Sequence, residues 1–169
     1  MPTTIEAMAE RDVGAVARLR LAAFFAGSGR TLAEDATGLR ELLASDGFEA
    51  AFVARDQGLP IGSCLLVRSE IDPAHDLTPW LAGLIVDQDH RGRGIGTALV
   101  RAVEAHAASA GVGRLYLYTW HARRFYEALN WVEVQNLRAG WRTDGSDVAR
   151  AIKCPRDNPA QTSRSARWR

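Results

Sequence analysis

Gly92, Gly94 and Gly96 recur at alternate positions, flanked by Arg91 and Arg93, between an unbroken apolar run and a long amphipathic stretch. A glycine-rich turn between a buried strand and a helix brings several backbone N–H groups and the positive end of the helix dipole to one point, which makes an anion cradle. The glycines remove side chains that would hold a diphosphate at a distance, and the two arginines add positive charge at the rim. Two other phosphate loops fail on spacing. The dinucleotide pattern GxGxxG would need glycine or alanine at position 97 or 99, where Thr97 and Leu99 stand, and the triphosphate loop needs a Gly-Lys-Ser/Thr ending that is absent. Asp87 and Asp89 precede the turn and are poor neighbours for a phosphate, so they are expected to point away or to pair with nearby arginines.

The elements that must position this turn can be read from hydrophobic spacing. Trp80 to Val86 lacks polar alternation and predicts a central strand covered on both faces, with Gly83 marking a bulge or a close backbone approach. Ile95, Leu99, Val103, Ala107 and Ala110 form one stripe of the following helix, which Gly111 ends. Arg114 to Thr119 is the next strand, parallel to the central one because a helix separates them. Upstream, residues around Ile5 open the sheet, and Asp12 caps a helix carrying Val13, Val16, Leu19 and Ala23. Thr31 and Glu34 form a capping box for a second helix carrying Leu39, Leu42 and Leu43. Phe48 to Arg55 and Ile61 to Glu70 pair as a hairpin around the turn cluster Asp56 to Pro60. Ile71 to Pro79 reads as a loop. Ala122 to Leu129 is a short helix ended by Asn130, which tolerates a left-handed cap. Trp131 to Val134 and Val148 to Cys154 are the last strands, turned around Asp144-Gly145-Ser146.

With these elements in place, Leu84-Ile85-Val86 followed by Arg91-Gly92-Arg93-Gly94-Ile95-Gly96-Thr97-Ala98-Leu99 resembles the acetyl-CoA motif R-x-x-G-x-G of the GNAT acetyltransferase superfamily. Leu115-Tyr116-Leu117-Tyr118-Thr119 and Phe125-Tyr126-Glu127-Ala128-Leu129-Asn130-Trp131 follow at the right distance and are similar to the family's F-Y-x-x-L-G-F/W segment. The element order agrees over roughly residues 5–153, and 80–134 carry the diagnostic part. The resemblance implies an α/β (α+β) fold: a mixed, mostly antiparallel sheet of six to seven strands with a splayed central parallel pair, flanked by about four helices. It divides the chain into a GNAT domain at 1–154 and a flexible arginine-rich tail at 155–169.

The same resemblance implies acetyl-CoA as cosubstrate. Backbone groups of Leu84, Ile85 and Val86 would pair with the pantetheine arm, residues Arg91, Gly92, Arg93, Gly94, Ile95, Gly96 and Thr97 would hold the diphosphate, and Tyr126 would protonate the departing thiolate. A phenol with a pKa of about 10 is protonated at neutral pH and able to donate. Two departures stand out. The asparagine that many members carry near the end of the strand before the short helix is replaced by Thr119-Trp120-His121, so that contact is not carried over. Asn130 replaces the usual glycine, a mild change.

Attack on a thioester needs a neutral amine, and a primary amine with a pKa of about 10 is protonated at pH 7, so a proton acceptor is required. Glu70, Asp72 and Asp76 are the candidates, and Glu70 is the one assigned here. A solvated loop edge is the bland alternative for all three. Asp72, His75 and Asp76 have no ligand geometry fixed by their spacing and read as a surface loop rather than a metal site. His90 and His121 border the turn as surface residues. Trp120 could line an acceptor pocket, and Trp80, Trp131 and Trp141 pack. Arg123 and Arg124 fit a solvated helix start better than a cofactor contact.

Composition narrows the classes further. At 169 residues, 47% hydrophobic and 24% charged, the chain is one ordinary globular domain. No run approaches a membrane span and no basic leader opens the chain, so a cytoplasmic protein with no membrane partner is expected. Cys64 and Cys154 form neither a CxxC pair nor a disulfide framework. The net charge is +1, with twenty arginines and the single Lys153. The tail holds four arginines against Asp157, which leaves the body slightly acidic and without a basic face for nucleic acid. The expected partner is a small-molecule amine, reached by direct attack in a ternary complex, with a homodimer left open. An acetyltransferase for a protein N-terminus or lysine, and a non-catalytic acyl-CoA sensor, are the alternatives.

Overall fold

The computed structural model of the chain describes residues 2–70, 77–119, 121–138 and 148–153. The loop residues Asp72, His75 and Asp76, together with Trp120, Trp141, the Asp144-Gly145-Ser146 turn, Cys154 and the arginine-rich tail, lie outside the described residues. The elements are β1 (Thr4–Ala7), α1 (Val13–Phe24), α2 (Leu32–Leu43), β2 (Ala50–Asp56), β3 (Leu59–Val67), β4 (Trp80–Val86), α3 (Ile95–Ser109), β5 (Tyr116–Thr119), α4 (Arg123–Ala128), β6 (Val132–Arg138) and β7 (Val148–Lys153). They build one sheet in the order β1-β2-β3-β4-β5-β7-β6. All neighbours are antiparallel except β4 and β5, which are parallel and share the single pair Trp80↔Tyr116. This is the expected mixed sheet with a splayed central pair.

Both faces of β3 and β4 are covered, which explains the unbroken apolar run of β4. On one face, Val13, Val16 and Ala17 of α1 and Ala36 and Leu39 of α2 pack on Val53, Leu65 and Ala82. On the other, Ile95, Leu99, Val100, Val103 and Ala107 of α3, with Tyr126, Leu129 and Trp131, pack on Cys64, Leu66, Leu81 and Leu117. The α3 stripe is as expected except at its end, where Ala110 is exposed. Glu104 lies inside the stripe and is buried, accepting from Trp131 Nε1 at 2.8 Å and Arg101 Nη1 at 2.7 Å.

Local chemistry accounts for the boundaries. The Thr31–Glu34 capping box forms, with Glu34 N donating to Thr31 Oγ1 at 3.2 Å and Thr31 N to Glu34 Oε2 at 2.7 Å. The expectation for Asp12 needs correction. It stands at the start of α1, but its carboxylate turns back to accept from Ala9 N at 2.9 Å and from Arg55 Nη2 at 2.6 Å. A buried arginine on β2 competes for the carboxylate and wins, because a bond between two opposite charges is stronger than one from a neutral backbone N–H to the same carboxylate. The hairpin turn is tighter than expected: Gln57 and Gly58 both take positive φ, 50° and 82°, and Pro60 falls within β3 at a register shift, where a missing N–H is tolerated. Asn130 has φ 68°, the left-handed cap anticipated for it.

Candidate active site

The β4–α3 connection is the turn that the glycines predicted. Gly92 and Gly94 take φ of 74° and 77°, a region closed to most side chains, and a Cβ at either would meet no protein atom within 4 Å. Their conformation demands glycine, and the space beside them is open. Gly94 stands immediately before α3, and the first bond into the helix is Ala98 N to Gly94 O at 3.0 Å. The N–H groups of residues 92–97 donate to no protein acceptor among the described residues. Orphan donors of a helix start, next to a turn and the positive end of a dipole, form the anion cradle.

Of the two acidic residues before the turn, the Asp87 carboxylate is occupied, though by other partners than expected, and Asp89 takes part through its backbone. Asp87 Oδ1 accepts from Asp89 N at 3.1 Å and lies 2.9 Å from His90 Nδ1, and this contact, with the backbone bond, holds the Asp87 carboxyl below its usual range. His90 Nε2 faces Asp56 Oδ2 at 3.6 Å. The arginines turn to backbone instead: Arg91 Nε donates to Val86 O at 3.0 Å and Arg93 Nη2 to Asp89 O at 3.4 Å. Both remain exposed at the rim.

An open pocket of about 510 Å³ runs from this turn along β4, lined by Leu84, Ile85 and Val86, by residues of the turn and the start of α3, and by Ala122 and Phe125. Beyond Trp80↔Tyr116 there is no further pair between β4 and β5, so the groups of β4 on that side are left without a strand partner as far as Val86. The register with β3 jumps from Ser63↔Ile85 to Leu65↔Ala82, which leaves an extra residue on β4, and Gly83 in that bulge takes φ 58°. A strand edge with unpaired amides that leads to a phosphate cradle suits an extended amide-bearing arm ending in a diphosphate.

The family model described as Acetyltransferase (GNAT) family matches residues 14–131. The chain belongs to the GNAT acetyltransferase family. Solved structures with the same fold include an N-acetyltransferase from Staphylococcus aureus Mu50 (TM-score 0.74, 16% identity, covering 91% of this chain and 98% of that one). Another is yncA from Salmonella typhimurium, solved with its cofactor acetyl-CoA (TM-score 0.69, 15% identity, 90% and 92% covered). A third is a GCN5-related N-acetyltransferase from Ralstonia eutropha JMP134 (TM-score 0.59, 26% identity, 81% and 97% covered). No curated protein matches the chain.

As a GNAT acetyltransferase the chain uses acetyl-CoA, and the free amides of the turn, the splayed strands and the apolar pocket match the chemistry of that cosubstrate. The remaining expected site residues lie around this core. Phe125, not Tyr126, faces the pocket. Tyr126 packs beside it, with ring centroids 4.9 Å from Phe125 and 6.0 Å from Trp131, and its hydroxyl has no hydrogen-bond partner among the described residues. Burial and the neighbouring Cys64 push its phenol well above the usual range, so it stays protonated. Cys64 is fully buried, as expected of a small core residue.

Glu70 lies just past β3, on the α1–α2 face of the sheet. Its surface is accessible, yet the protein around it strips its carboxyl of part of its water, and this lifts its pKa to about 7. Arg20 and a hydrogen bond from Tyr118 pull in the opposite direction. Tyr118 is itself raised to about 12, first by burial and then by Glu70. Sequence reasoning did not single out Tyr118 or Arg20. The period of two that puts Tyr116 and Tyr118 on one face of β5, against Trp80, was the available signal. Arg123 binds Glu127 and Glu133, consistent with a solvated helix start. Among the described residues, no helix is long and apolar enough to cross a membrane.

Proposed function

We infer that the protein is an acetyl-CoA-dependent N-acetyltransferase acting on the primary amine of a small molecule, by direct attack within a ternary complex. The observation that carries this reading is the convergence of two halves. The cradle and the splayed strand edge open on one side of the sheet, and the Glu70 carboxyl, past the end of β3, meets Tyr118 of β5 and Arg20 of α1 on the other. A carboxyl with a pKa near the working pH is the best compromise between being ionised and being basic, which suits a general base and serves no purpose in a binding-only sensor.

Acetyl-CoA supplies an acyl group activated as a thioester. The amides of 92–97 hold the diphosphate, and the free edge of Leu84 to Val86 orients the arm. Glu70 takes a proton from the acceptor's ammonium, which frees the nitrogen lone pair to form the C–N bond. As the C–S bond breaks, Tyr126 Oη delivers a proton to the sulfur and the nitrogen sheds its second proton, which restores the phenol; of the two protons the ammonium loses, one is held by Glu70 and the other is balanced by the one the thiol gains. Calorimetric titration with acetyl-CoA, combined with thiol release over a panel of small amines and of peptides with free N-termini or lysines, tests the reading. Thiol release with small amines is expected. Binding without thiol release across the panel would identify a sensor, and preference for peptides would identify a protein acetyltransferase.

A further inference from the structure

The α1–α2 side of β4 holds a guanidinium that the chemistry above does not use. Arg20 on α1 donates from Nε to Asp35 Oδ2 at 3.0 Å and from Nη2 to Asp35 Oδ1 at 3.5 Å. Asp35 is fully buried in α2 and also accepts from Arg30 Nε at 3.0 Å, and both guanidiniums lie over the Phe25 ring. Arg20 is therefore pinned, and two arginines share one carboxylate. Its third nitrogen, Nη1, is shut off from solvent and has no acceptor. A buried donor without an acceptor is costly, and native structures keep few of them.

That nitrogen is pressed against the bulge of β4. A Cβ on Gly83 would fall 2.3 Å from Arg20 Nη1, so the glycine and its positive φ make room for the guanidinium. An arm that starts at the turn beyond Val86 and runs back along Val86, Ile85 and Leu84 ends beside Gly83. The donor without an acceptor thus stands where a thioester carbonyl, an acceptor without a donor, would arrive. We propose that Arg20 grips the acyl group, its Nη1–H donating to the carbonyl oxygen of the bound thioester. The bond orients the acyl carbon toward the face where Glu70 stands and draws electron density from it. This rests on the cofactor placement in the preceding section.

The test uses the full chain and acetyl-CoA labelled with ¹³C at the carbonyl. Infrared difference spectra should show the bound carbonyl band below its frequency in water. Arg20→Met keeps Arg30 on Asp35 and removes the donor, and the band should then return toward its solution position. Calorimetry should show the unaltered chain binding acetyl-CoA roughly tenfold or more tightly than CoA, with Arg20→Met losing that preference while CoA affinity is kept. A bound carbonyl at its solution frequency in the unaltered chain overturns the proposal whether or not the variant folds. So does a preference for acetyl-CoA that survives Arg20→Met. Failure of CoA itself to bind would instead remove the cofactor placement, and the proposal with it, and the titration with CoA alone tells that outcome apart.

Discussion

Replacing Glu70 by glutamine keeps the side chain's size and its ability to meet Tyr118 but removes the charge. Burial lifts the Glu70 carboxyl from the ordinary range to about 7, against the opposing pull of Arg20 and Tyr118. Only the carboxylate can accept a proton, so activity should rise with pH through that value. Between about pH 6 and about pH 8 the ionised fraction grows about tenfold, and kcat/KM should follow it. Glu70→Gln should lower kcat about 10²-fold to 10⁴-fold, the usual contribution of a general base, and erase this limb of the profile. Stability should move the other way. A group whose pKa is raised by folding stabilises the fold below its unfolded value and loses that contribution as pH rises through about 7. Glu70→Gln should therefore gain stability over the unaltered protein at about pH 8 and show no gain at about pH 4. Because the side chain touches solvent, the gain should be below about 1 kcal/mol. Steady-state kinetics with one amine across pH, with thermal melts in the same buffers, measures both. An acid limb near pH 7 that persists in Glu70→Gln would refute the assignment.

Tyr118→Phe removes the hydrogen bond that favours the Glu70 carboxylate, so the acid limb of kcat/KM should move to higher pH while the ring stays packed on Trp80. An unmoved limb would separate the two residues functionally. Tyr126→Phe leaves the core intact, since the hydroxyl has no partner among the described residues, and should lower kcat about 10²-fold with cofactor affinity nearly unchanged by calorimetry. Equal loss of both would take Tyr126 out of the proton-donor role. Gly94→Val meets no protein atom but must adopt φ 77°, a strain of roughly 1–2 kcal/mol, and places its methyls in the open cradle. Affinity for acetyl-CoA should fall at least about tenfold, and an unchanged affinity would refute the cradle. Glu104→Ala strands the Trp131 indole N–H in the core and should cost about 1–3 kcal/mol, read as a drop of a few degrees in Tm.

What the sequence made legible, and what it hid, follows from how each part of the site is built. The cradle is continuous in the chain: a strand, three spaced glycines and a helix face make it, and every one of those properties is local. The same holds for the Thr31 cap and for Asn130, where one residue type answers one backbone need. Asp12 shows the limit. Local chemistry names it a cap, but Arg55 comes from β2, so only the tertiary fold reveals the stronger competitor. Glu104 is a similar case, a carboxylate in the middle of an apolar stripe whose burial makes sense only once Trp131 is seen to reach it.

The proposed acceptor face is the extreme of this trend. Glu70 follows β3, Tyr118 lies on β5 and Arg20 on α1, and no spacing in the sequence links them. They meet because β4 joins β5 at one pair, which opens the sheet, and because Gly83 bulges toward α1, which admits the guanidinium. A glycine inside a central strand was visible from the start as the mark of a close approach, but the group that approaches was not. Its identity matters more than the bulge itself, since a buried cation beside a carboxyl of raised pKa places opposing demands on one small volume. Arg20 favours the ionised form of Glu70, and crowding favours the neutral form. Crowding outweighs Arg20 and Tyr118 and so lifts the carboxyl to about 7, where the proposed mechanism has it take a proton from an ammonium and release it afterwards.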